Sequence, residues 1–307
     1  MALAHQAVLL EEAVDALMAA TTELADQVFV DGTFGRGGHS ARILERLSLD
    51  DRLIAFDKDP EAARVAEEMA GADARFSFLR GSFAELERAG SNLSGVFLDL
   101  GVSSPQLDDR ARGFSFQLDG PLDMRMDPDS GISAADFVNT ASQQEMISVF
   151  RDYGEERYAK RIASAIVAAR TSEPLATTAQ LARIVSEANP SWEKHKHPAT
   201  RVFQAIRIHV NRELIDLECL LGKVIELLAV GGRLVVISFH SLEDRLVKQF
   251  MRNEARGRQV PRGVPVLDAD RGQRLRLVGK PVKAGEAELA VNPRARSAIM
   301  RVAERIA

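Results

Sequence analysis

The chain has 307 residues, enough to bury a sizeable core and to hold one large domain with an insertion or two domains. It is 46% hydrophobic and 27% charged, and no apolar run approaches the roughly 20 residues of a membrane helix, which sets aside disordered, fibrous and membrane-spanning classes. A net charge of −4 sets aside a generally basic nucleic-acid coat, but from Met251 onward 13 Lys and Arg stand against 6 Asp and Glu, so a basic tail follows an acidic body and points modestly to a polyanion.

The opening segment MALAHQAVLLEEAVDAL has neither the basic start nor the cleavage site of a secretory signal, and one cysteine, Cys219, cannot form an internal disulfide. Both features predict a cytoplasmic protein. Cys219 stands among Leu217, Leu220 and Leu221 at helical spacing and is expected in the core rather than as a nucleophile.

The most informative stretch is VFVDGTFGRGGHS, Val28 to Ser40. A short apolar strand ends in Asp31, a turn rich in glycine (Gly32, Gly35, Gly37, Gly38) follows, and a helical pattern begins at Ser40. A second strand, RLIAFDKD, again ends in an acid, Asp57. This is the first βαβ unit of a nucleotide-binding sheet: the glycines let the backbone turn sharply, and the helix start offers N–H groups to a polar ligand. Strands FSFL and GVFLDL continue the alternation, with helices expected over Ser40–Leu47, Pro60–Met69 and Phe83–Ala89. Such alternation predicts a parallel sheet covered on both faces.

After Ser104 the pattern changes. A loop-like stretch to Gly131 precedes a block, Ser133 to about Asn189, that reads helical throughout, with Ile162, Ala165, Ile166 and Ala169 at helical spacing and Thr178 as an expected N-cap. From His197 a long amphipathic helix region, striped by Val202, Ile206 and Val210, is expected to run to a glycine cap at Gly231–Gly232. An apolar strand RLVVISF, a helix SLEDRLVKQFM and a final edge strand ARSAIMRVAE complete the chain. The expected organisation is a discontinuous α/β domain, 1–105 with 199–307, carrying an inserted helical domain over 106–198.

The turn DGTFGRGGH lacks the G-x-G-x-x-G spacing of dinucleotide sites, and Asp31 beside a pyrophosphate would repel it. S-adenosyl-L-methionine instead presents an ammonium, a carboxylate, two ribose hydroxyls and an adenine. Asp31 and the turn, Gly35 included, suit the amino-acid end, Asp57 the ribose, and Phe83 the adenine. A metal site is not indicated, because His195 and His197 in KHKH lack cysteine or carboxylate partners at ligand spacing.

Several strings together resemble one family: DGTFGRGGHS, FDKDPEA, GVFLDLGVSSPQLDDRARGFSFQLDGPLDMRMD, HPATRVFQAIRIHVNREL, GGRLVVISFHSLEDR and NPRARSAIMR. In this order, and covering nearly the whole chain, they are similar to the RsmH (MraW) family of bacterial small-subunit rRNA methyltransferases. The resemblance implies a Rossmann-like class I S-adenosylmethionine-dependent fold with an inserted helical subdomain. It also implies methylation of N4 of a cytidine in 16S rRNA at the decoding centre, with the small ribosomal subunit as partner. It implies cofactor contacts at Gly37, Gly38, His39, Asp57, Phe83, Asp99 and Gln106.

Methyl transfer to this exocyclic amine is demanding because its lone pair is delocalised into the ring. The enzyme must hold the amine in line with the methyl and offer acceptors to the amino hydrogens. The turn DLGVSSPQ after the fourth strand is the expected place, loosely similar to the (N/D/S)PP(aromatic) loop of DNA amino-methyltransferases. Asp99 is expected to orient cofactor or amine, and Ser103 or Ser104 to accept from N4. Asp123 and His240 are second-rank candidates, His240 more as a structural residue. Phosphate contacts are expected among Arg110, Arg112, Arg125, Lys194, Lys196, Arg201, Arg207, Arg294 and Arg296, with the target base unstacked into the pocket. Two rival readings remain at this level: a DNA amino-methyltransferase, and an RNA-binding assembly factor without turnover.

Overall fold

The computed structural model describes residues 7–191, 197–257 and 272–307. Lys194, His195, Lys196 and the 258–271 part of the basic tail lie outside the described residues. Helices run in chain order as α1 (Leu10–Met18), α2 (Gly38–Leu44), α3 (Pro60–Ala72), α4 (Ser104–Asp108), α5 (Ala134–Thr140), α6 (Gln143–Asp152) and α7 (Ala159–Ser172). Then follow α8 (Thr178–Ala188), α9 (Ala199–Asn211), α10 (Glu213–Leu221), α11 (Val224–Leu227), α12 (Ser241–Arg256) and α13 (Glu286–Val291). None of them is long and apolar enough to cross a membrane.

The chain divides into two units, Met1–Gly101 with Leu214–Ala307, and Val102–Glu213. In the first, strands β1 (Val28–Asp31), β2 (Arg52–Asp57), β3 (Phe76–Arg80), β4 (Leu93–Asp99), β5 (Leu228–Ser238), β6 (Leu275–Leu277) and β7 (Ile299–Arg305) form one sheet ordered β3-β2-β1-β4-β5-β7-β6. The first five are parallel, and β7 runs antiparallel between β5 and β6. The apolar runs of the central strands divide with period two. Phe29, Phe97, Val235 and Ile237 enter one core with Val14 and Leu17 of α1 and Ile43 of α2. Val30, Val96, Leu98, Leu234 and Val236 enter the other with Leu217, Leu220, Val247 and Met251. Burial on both faces explains the near-continuous apolar strands, each buried Val, Leu or Phe contributing about 1.5–3 kcal/mol.

The second unit is helical. Phe137, Phe150, Ile162, Ile166, Leu181, Val185, Val202 and Ile206 share one core drawn from α5 to α9. Asn211 closes the end of α9: its Nδ2 donates to the carbonyls of Met124 (2.8 Å) and Arg207 (2.9 Å), and its Oδ1 accepts from the N–H of Met126 (2.7 Å). This pins the loop that carries PLDMRMD.

Several expectations need correction. The helix region after His197 is three helices, broken at Arg212, which sits in the left-handed region (φ 56°). The apolar stripe runs on through the break, but Val202 and Ile206 face the helical core whereas Leu217 and Leu220 face the sheet. For that reason α9 falls in the helical unit, and the units part at 101/102 and 213/214 rather than at 105/106 and 198/199. Gly231 and Gly232 lie inside β5, not at a helix cap. The strand near the end, β7, is internal, because the short and half-polar β6 pairs beyond it. The segment Phe83–Ala89 is 3-10 helix, and the cap of α8 is Thr177, not Thr178. Cys219 is exposed, on the opposite side of α10 from its buried leucines.

Candidate cofactor site

Adjacent strands β2, β1 and β4 end in Asp57, Asp31 and Asp99. Strand order runs outward in both directions from the β1–β4 pair, so these C-terminal ends frame the switch point at which open α/β sheets bind ligands. The glycine turn arches over them. A Cβ on Gly32 would stand 2.5 Å from Leu98 Cδ2 and 3.0 Å from Phe83 Cβ, so only glycine lets the backbone pass this close. Gly37 caps α2 at φ 77°, with the Phe34 ring 2.8 Å from where a Cβ would sit. Gly35 donates its N–H to Asp57 Oδ2 at 2.7 Å and ties the turn to β2, and Gly38 opens α2.

Asp31 is 1% exposed, and both its oxygens are engaged within the turn: Oδ1 accepts from the Thr33 N–H (3.0 Å) and Oδ2 from the Ser40 hydroxyl (2.7 Å). Burial pushes its carboxyl up to about 6 against those two bonds, with a further push from Asp57. Asp31 thus braces the turn, and a ligand ammonium would meet only its remaining lone pairs. Asp57 accepts from the N–H groups of Asp59 (2.9 Å) and Gly35, and burial raises its pKa as well.

His39 and Asp99 form the open part of the site. His39 Nε2 lies 3.0 Å from the Val8 carbonyl and must donate to it, so Nδ1 is left as an acceptor. Burial lowers the imidazole to about 4, which keeps it neutral. That Nδ1 faces Asp99 Oδ2 across 3.8 Å, too far for a direct hydrogen bond. The other carboxylate oxygen, Oδ1, is buried with no hydrogen-bond partner. Burial, then the charges of Asp31, Glu243 and Glu288, raise Asp99 well above the usual carboxylate range. Buried polar atoms are nearly always paired, so two facing acceptors and an orphaned oxygen mark a place for donors from a ligand. An ammonium, or hydroxyl and amino groups, meet that description, and the arrangement fits a cofactor with a charged amino-acid end. Phe83, half-buried at the head of its 3-10 segment, walls the same end of the sheet.

The sheet unit therefore brings together Asp31, Gly35, Gly37, Gly38, His39, Asp57, Phe83 and Asp99. Ser103, Ser104 and Gln106 gather at the head of α4 in the helical unit, where Gln106 Oε1 accepts the Ser103 N–H at 2.9 Å in a capping box. Ser104 and Gln106 are buried there. Asp123 is taken by Arg125, whose Nε and a terminal nitrogen reach its two oxygens at 2.8 and 2.7 Å, and its pKa is lowered. Arg207 is likewise held by Glu213, and Arg112 donates to the carbonyls of Arg125 and Met126. Arg110, Arg294 and Arg296 are exposed. His197 stacks on Phe116 (4.6 Å) and accepts the Ala199 N–H. His240 is the N-cap of α12 with Glu243 as its reciprocal partner, a structural role. The residues that sequence reasoning missed are Thr33, whose hydroxyl takes the Asp99 N–H at 2.6 Å, and the acids Glu243 and Glu288. The last two lie far from Asp99 in sequence and carried no signal.

The whole chain matches known proteins. Residues 2–306 match the MraW methylase family. A protein of Thioalkalivibrio sulfidiphilus named ribosomal RNA small subunit methyltransferase H is 59% identical over 99% of this chain and 98% of its own length. The protein of the same name in Chromohalobacter salexigens is 57% identical over 98% and 92%. A crystal structure of an rRNA methylase from Streptococcus thermophilus aligns over 99% of this chain and 100% of its own at 10% identity, with a TM-score of 0.45. On the full-length match and these identities, the chain belongs to the MraW methylase family.

Proposed function

We propose that this protein transfers a methyl group from S-adenosyl-L-methionine to the N4 amine of a cytidine in small-subunit rRNA, at the decoding centre, in the cytoplasm. The observation that carries the reading is the open pair of His39 Nδ1 and Asp99, with the unpartnered Asp99 Oδ1, over a glycine turn at the switch point. The family match and the names of the two relatives supply the reaction class and the rRNA substrate.

When bound, the cofactor supplies a methyl on a sulfonium centre, strongly electrophilic and needing no metal activation. His39 and Asp99 would hold its ammonium, with Asp31 stiffening the turn beneath. Asp57 keeps lone pairs for ribose hydroxyls, and Phe83 offers a ring face to adenine. Alternatively His39 alone takes the ammonium, and Asp99, held well above the usual carboxylate range by burial and by neighbouring acids, accepts from the amine that grows acidic as it is methylated. Ser103 or Ser104, four or five residues beyond Asp99, would supply a second acceptor for the amino hydrogens. Arg110, Arg294 and Arg296 are exposed and suit phosphate contacts, while Arg125 and Arg207 are engaged by Asp123 and Glu213.

The test is transfer of labelled methyl from S-adenosylmethionine to small subunits from a strain lacking this protein, followed by nucleoside analysis. Label in N4-methylcytidine is expected. Label confined to DNA cytosine would make the chain a DNA amino-methyltransferase, and cofactor binding without label would make it an assembly factor. Single-turnover rates of Ser103→Ala and Ser104→Ala complete the assignment, since unchanged rates in both would remove the serines from the chemistry.

A further inference from the structure

The two loops that carry Asp57 and Phe83 are held by a single carboxylate from a distant part of the chain. Asp216, in the first half of α10, is 7% exposed. Its Oδ2 accepts from Lys58 Nζ at 2.5 Å and from the Ser82 hydroxyl at 2.6 Å. Lys58 directly follows Asp57, and Ser82 directly precedes Phe83. Ser82 Oγ in turn accepts the Ala84 N–H at 3.0 Å and so caps the 3-10 turn on which Phe83 stands. A second cation reinforces the same turn, Lys223 Nζ donating to the Ala84 carbonyl (2.8 Å) and to Glu87 (2.7 Å).

The links from Asp216 and Lys223 are local in space and remote in sequence. Without the Asp216 carboxylate, Lys58 loses this charge-assisted bond, and the Ser82 hydroxyl loses this acceptor while still capping the turn. The ends of β2 and β3 would then keep the bond from the Gly81 N–H to the Asp57 carbonyl (2.9 Å) but lose the anion that their Lys58 and Ser82 side chains share. Charge-assisted bonds to a largely buried carboxylate are the strong kind, so the Lys58 and Ser82 side chains are stiffly held.

We propose that Asp216 is a positioning residue for the adenosine half of the cofactor site, acting through Lys58 on Asp57 and through Ser82 on Phe83. The proposal rests on the reading of this site as an S-adenosylmethionine site. It predicts an effect on cofactor affinity and not on the methyl-transfer step, because Lys58 and Ser82 adjoin Asp57 and Phe83 rather than His39 and Asp99.

The experiment measures S-adenosylhomocysteine affinity by calorimetry, well below each variant's melting temperature, together with KM for the cofactor and kcat on small subunits. Asp216→Asn keeps the shape of the side chain and removes its charge. It is expected to weaken S-adenosylhomocysteine about tenfold and raise KM in step, with kcat at saturating cofactor within about twofold of wild type. Ser82→Ala is expected to weaken binding in the same direction. In a Phe83→Ala background Asp216→Asn is expected to cost measurably less than in the wild type, because part of its effect runs through that ring. Unchanged affinity in a less stable Asp216→Asn protein would reduce the residue to a structural role and overturn the proposal. So would a fall in kcat with KM unchanged, or full additivity with Phe83→Ala. Wild-type protein that binds no S-adenosylhomocysteine would instead sink the cofactor reading itself, and this proposal with it.

Discussion

Asp31→Asn offers a quantitative test of the site's electrostatics. Asp31 is buried, and its carboxyl lies at about 6 against an ordinary 3.8. The folded state therefore holds the proton more tightly than the unfolded chain, so stability is greatest below pH 3.8 and is lost as pH rises towards 6. A shift of about 2 units corresponds to about 3 kcal/mol against folding once the carboxyl is ionised. Asparagine is nearly isosteric, keeps an acceptor for the Thr33 N–H and turns an amide donor towards the Ser40 oxygen. It should remove the ionisation cost without a cavity. Urea unfolding of the two proteins should then differ in favour of Asp31→Asn by about 3 kcal/mol at pH 8, by about half of that at pH 5 and by little at pH 4. The same variant is expected to bind S-adenosylhomocysteine more weakly at pH 8, since a carboxylate kept at such cost in a ligand site serves the ligand. A difference that stays flat with pH, or a less stable variant at pH 8, would refute the claim that Asp31 is ionised against the preference of its surroundings.

Other outcomes follow from the same geometry. Gly37→Ala places a side chain at φ 77° against the Phe34 ring and should cost about 1–3 kcal/mol in denaturant melts while weakening S-adenosylhomocysteine. His39, lowered to about 4 from 6.5 by burial, contributes stability that is complete above 6.5 and lost as pH falls towards 4; His39→Gln should flatten that part of the wild-type stability–pH curve, amounting to about 3 kcal/mol. Asn211→Ala leaves the Met126 N–H and the Met124 carbonyl without their partner and should cost about 2–4 kcal/mol in urea unfolding; a loss below about 1 kcal/mol would mean that the loop is held by something else.

What could be read from the chain depended on how far apart the interacting groups lie. The glycine turn, the strand-end acids Asp31 and Asp57, and Asp99 four residues before Ser103 are local signals, because a strand feeding a tight turn must use these residue types at this spacing. The same holds for the alternation of strands and helices, whose apolar periods are set by backbone geometry alone. Cys219 shows the limit of such reasoning: apolar neighbours at helical spacing say that a helix has a buried face, and the cysteine lies on the opposite side of that helix.

The sequence by itself determined a glycine-turned α/β sheet with a helical insertion, since each element's period and punctuation are written within a dozen residues. Tertiary structure alone decided where one helix stripe changes cores at Arg212, and that β7 is flanked by β6. It also decided that Asp99 keeps an unpaired oxygen among Asp31, Glu243 and Glu288, and that Asp216 joins Lys58 to Ser82. Those facts depend on which distant surfaces meet when the core closes, and packing across more than a hundred residues of chain leaves no periodic mark in the sequence.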